Sequence, residues 1–122
     1  MYDFSTLMRD IEQLQHHSIV RIHEIGRSVL NKPIIELQIG EGETYVHMNA
    51  SFHANEWITS AVVMAFVRDY VQALKDKQHL FGYDVQPLYK KRRYQLCRWS
   101  IQMESILCYM EGKRLNIMKR RY

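Results

Sequence analysis

Cysteine and proline are scarce in this chain, two of each in 122 residues, and glycine is held to five. The two thiols, Cys97 and Cys108, are too few for a disulfide framework and are not spaced as a zinc knuckle, so both read as ordinary reduced cysteines. No apolar run approaches the ~18 residues that cross a bilayer, which excludes a membrane-spanning helix, and so few glycines and prolines exclude a collagen-like fibre. The first residues, Met1-Tyr2-Asp3-Phe4-Ser5, lack the basic and then apolar segments of a secretory signal, which predicts a cytoplasmic address. Repeats and low-complexity linkers are also missing.

What is present is a composition 47% hydrophobic and 25% charged, too apolar for a disordered tail and long enough for one domain at most. Its formal net charge of +4 joins two unlike regions. Residues 1–89 carry 7 Lys+Arg against 11 Asp+Glu, whereas residues 90–122 carry 10 against 2. The basic surplus therefore belongs entirely to the tail, and the body is mildly acidic.

Leu7, Met8, Ile11 and Leu14 recur at helical spacing behind Ser5, an N-cap residue type, and predict an amphipathic helix over residues 5–15 that stops at His16-His17. Ile19 to Ile25 is rich in β-branched residues and closes at Gly26-Arg27-Ser28. Pro33 to Ile39 repeats the pattern and closes at Gly40-Glu41-Gly42-Glu43, so the two predict an antiparallel pair at a sheet edge. Thr44 to Asn49 reads as a third strand. Ser60 to Leu74 begins apolar nearly all round, which predicts a buried helix. From Asp76 to Phe81 the pattern breaks into a polar loop, after which Val85, Leu88 and Tyr89 resume a short apolar stretch. A helix packed behind a strand predicts an α/β fold with a mixed sheet whose remaining strands come from later residues.

Between the third strand and the buried helix stands Asn49-Ala50-Ser51-Phe52-His53-Ala54-Asn55-Glu56-Trp57. His53 and Glu56 form an H-x-x-E pair at a strand's carboxyl end, where open α/β sheets place their ligand sites. An imidazole nitrogen and a carboxylate oxygen are both natural zinc ligands, and a catalytic zinc takes three protein ligands and a water. Taken alone the pair is common, and a glutamate at a helix start serves equally as a cap; its neighbours carry the argument further.

With those neighbours the chain resembles the zinc carboxypeptidase family, and H-A-N-E-W is most similar to the branch of γ-D-glutamyl-L-diamino acid endopeptidases that cut peptidoglycan stem peptides. The second motif is Ile25-Gly26-Arg27-Ser28-Val29-Leu30-Asn31-Lys32-Pro33-Ile34, which resembles the family's I-G-x-S-x-x-G-x-P-I. Asn31 stands where the family has glycine, a change that asparagine's tolerance of positive φ absorbs. The resemblance covers residues 2–91 and implies the amino-terminal part of a mixed-sheet zinc carboxypeptidase-like fold, incomplete as it stands. It implies Zn2+ as cofactor, His53 and Glu56 as the first two metal ligands, and a peptide substrate attacked by metal-bound water. The third ligand, a histidine, and the catalytic glutamate lie far downstream in the family. His79 sits in the polar loop, and Glu104 and Glu111 lie in a segment that matches nothing, so no catalytic residue is assigned and the chain alone is expected to be inactive.

Beyond Lys91 the family continues as a strand leading into V-P-M-V-N-P-D-G-V-D, whereas here stand Arg92-Arg93-Tyr94-Gln95-Leu96-Cys97-Arg98-Trp99-Ser100-Ile101-Gln102-Met103-Glu104-Ser105. Read one base earlier, the codons of this stretch permit Pro across Cys97 and Arg98, Val across Trp99 and Ser100, and Asn across Ser100 and Ile101. They permit Pro across Ile101 and Gln102, allow only Asn or Asp across Gln102 and Met103, and force Gly across Met103 and Glu104. The adenine-rich codons of Lys90-Lys91 offer a place to gain or lose a base. Residues 92–122 are therefore expected to be a frameshift-derived basic tail. At face value the same tail places Leu96, Trp99, Met103, Ile106, Leu107 and Met110 at three-and-four spacing beside Arg92, Arg93, Arg98, Lys113 and Arg114. That alternative is a non-enzymatic module with a basic amphipathic helix for an anionic partner. Neither a nucleic-acid partner nor a membrane span is expected of the peptidase reading, and oligomeric state is left open.

Overall fold

The computed structural model describes residues 2–28, 31–51 and 56–97. Its elements run α1 (Phe4–Gln15), β1 (Val20–Arg27), β2 (Pro33–Ile39), β3 (Thr44–Asn49), α2 (Trp57–Asp76), β4 (His79–Leu80), β5 (Tyr83–Asp84), α3 (Val85–Lys91) and β6 (Arg92–Cys97). Four strands form a mixed sheet in the order β1-β2-β6-β3, and β4-β5 is a separate small hairpin. β1 and β2 are antiparallel, β6 is antiparallel to β2, and β3 runs parallel to β6. The expected antiparallel pair, third strand and mixed sheet are all present.

The core lies between one face of this sheet and the two longer helices. Ile35, Leu37 and Ile39 of β2 alternate with Glu36 and Gln38, so one face is apolar and the other polar. Register carries the division across the sheet, since Val20 and Tyr94 oppose Ile39 while Ile22 and Leu96 oppose Leu37. Leu7, Ile11 and Leu14 of α1 join Met64, Val67, Tyr70, Val71 and Leu74 of α2 in the same cluster. The ring of Tyr70 stacks on Phe66 at 5.7 Å and meets Tyr94 edge-on at 5.3 Å. Burial of the Tyr70 phenol pushes its pKa well above the ordinary value. On the polar face Gln95 Nε2 donates to Glu36 Oε2 across the β2–β6 pair.

Four elements differ from the sequence expectation. The N-cap of α1 is Asp3 and not Ser5: its Oδ1 accepts from the Thr6 backbone N–H and from Thr6 Oγ1, both at 2.8 Å. Helix α2 is buried on one side only, with Val67 fully enclosed while Ile58 and Val62 are 55% and 62% exposed. The segment read as a polar loop holds the β4–β5 hairpin, in which His79 pairs with Asp84. Residues 92–97, read from the sequence as the start of a basic tail beyond the family's part of the chain, form β6 and occupy the centre of the sheet. Arg92, Arg93 and Leu96, read at face value as part of a basic amphipathic helix, are thus in a strand, with Leu96 buried against Leu37 and Met48. Residues 98–122, which carry the rest of that reading, lie outside the described residues.

Because β6 inserts between β2 and β3, the turn at residues 40–43 must cross its start, a span of two inter-strand gaps or about 10 Å. The Glu41 backbone N–H donates to Tyr89 O and that of Gly42 to Arg92 O, pinning the turn to the α3–β6 junction. Arg21 Nη2 donates to Gly40 O at 2.6 Å from the other side.

The α1 cap gives a direct test. Donors from Thr6 hold the Asp3 carboxyl below its usual pKa, so the carboxylate contributes stability above the unfolded value near pH 4 and loses it as pH falls through the folded value. Asp3→Ala is expected to lower stability at pH 7 by about 1 kcal/mol. In urea titrations the gap to the parent chain should narrow below about pH 4.

Candidate metal site

β3 and β6 are parallel, so Asn49 and Cys97 end side by side, and the connection from β3 to α2 leaves the sheet at this carboxyl end. Ala50 and Ser51 are buried immediately after the strand. Ser51 takes a φ of 53°, which turns the chain sharply toward the start of α2. Its backbone N–H donates to Thr59 Oγ1 at 2.7 Å, and its hydroxyl donates to the Glu56 carbonyl at 2.9 Å and lies 2.6 Å from Ser60 Oγ. The Glu56 carbonyl also accepts from the Thr59 hydroxyl at 2.8 Å and the Thr59 N–H at 3.0 Å. Both ends of the stretch 52–55 are therefore clamped to the first turn of α2.

Glu56 is the N-cap residue of α2, yet its carboxylate makes no capping hydrogen bond. The side-chain cap reading of this glutamate is thus set aside, and its backbone carbonyl is the anchor at the helix start. His53 lies outside the described residues, and among the described residues no three His, Cys, Asp or Glu side chains gather as a metal-binding group. Glu56 supplies a hard oxygen donor at the strand's carboxyl end, and this fits a zinc ligand. His79 is placed in β4, beyond the far end of the 20-residue α2, and does not approach Glu56.

Sequence reasoning passed over Ser51, Thr59 and Ser60. Their signal is the hydroxyl spacing itself: a serine after the strand and a Thr-Ser pair within the first turn of the helix are what a buried hydroxyl knot needs. Asn31, by contrast, was legible. Its φ of 58° shows the left-handed turn for which asparagine replaces glycine, and Ser28 closes that turn through its hydroxyl, which accepts from the Lys32 N–H.

The zinc carboxypeptidase family pattern matches residues 6–81. The chain belongs to the zinc carboxypeptidase family. It is 43% identical over 96 residues to gamma-D-glutamyl-L-diamino acid endopeptidase 1 of Lysinibacillus sphaericus, a match covering 78% of this chain and 24% of that protein. It is 31% identical over 84 residues to carboxypeptidase A6 of Mus musculus, covering 61% and 19%. Among solved structures, a putative carboxypeptidase A from Shewanella denitrificans OS-217 aligns with a TM-score of 0.70 at 12% identity, over 84% of this chain and 27% of that one. The chain thus has the fold of this family's members while spanning about a quarter of the length of the curated relatives it matches. No helix among the described residues is long and apolar enough to cross a membrane.

Proposed function

We propose that this chain is the amino-terminal part of a zinc-dependent peptidase directed at peptidoglycan stem peptides, with His53 and Glu56 as two of its metal ligands. The observation that carries the reading is the 43% identity to a γ-D-glutamyl-L-diamino acid endopeptidase, well above the 31% to a carboxypeptidase. Zinc, when bound, polarises the scissile carbonyl and lowers the pKa of a water. The chain's own contribution is positional. Ser51, Thr59 and Ser60 fix the Glu56 backbone at the start of α2, beside the sheet's carboxyl end.

Two ligands hold zinc poorly, and the third ligand and the general base are assigned to the part of the family's length that this chain does not cover. The chain alone is therefore read as inactive, with residues after about Lys91 arising from a changed reading frame. Nucleotide sequence through codons 90 to 105 and onward tests that part; a stop met at once in the frame one base earlier, or no downstream His and Glu in it, sinks it. The metal assignment is tested by zinc titration of the purified chain beside His53→Ala and Glu56→Gln. Each substitution is expected to weaken binding by about tenfold or more, with the far-ultraviolet circular dichroism unchanged. Equal, stoichiometric zinc in all three chains would overturn the assignment.

A further inference from the structure

We draw no further inference here: the strongest candidate, the apolar cavity between α2, the β4–β5 hairpin and β6 that Phe66, Tyr70, Leu80, Tyr83 and Tyr94 line, carries nothing, because the chain spans about a quarter of its relatives' length and nothing in the structure shows what covers it.

Discussion

Gly40→Ala is expected to cost about 3 to 5 kcal/mol, enough to remove most or all of the cooperative folding of so small a unit. Two effects add. Gly40 has a φ of 114°, a range that side chains rarely adopt, with a cost of order 1–3 kcal/mol. A Cβ there would also overlap the carbonyl oxygen of Arg92 and sit 3.1 Å from its carbon. Those atoms are backbone at the head of the central strand, so relief requires moving β6 away from β2 and not merely rotating a side chain. Gly82→Ala separates the two causes, because Gly82 also has a positive φ, 82°, but no atom within 4 Å of its Cβ position. Urea unfolding followed by circular dichroism should show about 1 kcal/mol lost at Gly82 and several times that at Gly40. Equal losses would mean that the crossing turn does not press on β6.

The same turn shows what the sequence could and could not reveal. Gly40-Glu41-Gly42-Glu43 is legible as a turn, and the strands on either side are legible to the residue, because Pro33–Ile39 is rich in isoleucine and alternates apolar and polar side chains from Ile35, and Thr44–Asn49 is short and bounded. That the turn must cross a third strand is not legible, since β6 lies some fifty residues later and its place between β2 and β3 depends on Tyr94 meeting Ile39 and Leu96 meeting Leu37. Arg92-Arg93 at its head also masks the strand with a basic signature. Its burial comes from the partners and not from the local pattern. In the same way Val62 looks like core by composition but is 62% exposed, while Val67, five residues on, is fully enclosed. Which side of a helix that begins apolar nearly all round faces the sheet is a tertiary fact, visible here in the one cluster that Met64, Val67, Tyr70 and Val71 share with the sheet and with α1.

At the candidate metal site the proposed pair His53 and Glu56 is read from the sequence, whereas the means of holding the Glu56 backbone is seen only in the structure, and Ser51 is the residue on which that means can be broken. Ser51→Val is expected to cost about 2 to 4 kcal/mol. A β-branched side chain at a φ of 53° is strained by roughly 1–2 kcal/mol. The hydroxyl that bonds the Glu56 carbonyl and contacts Ser60 Oγ is lost as well, in a position only 2% exposed, where water does not replace it freely. Ser51→Gly removes the same hydroxyl but relieves the backbone, so it should fall between the parent chain and the valine variant. Thermal unfolding of the three chains checks the order. The two variants should also bind zinc more weakly than the parent even where all are folded, because Glu56 loses an anchor on its own carbonyl while its carboxylate is untouched. Parent-like zinc binding in folded Ser51→Gly would show that the hydroxyl knot serves stability alone and does not position the ligand.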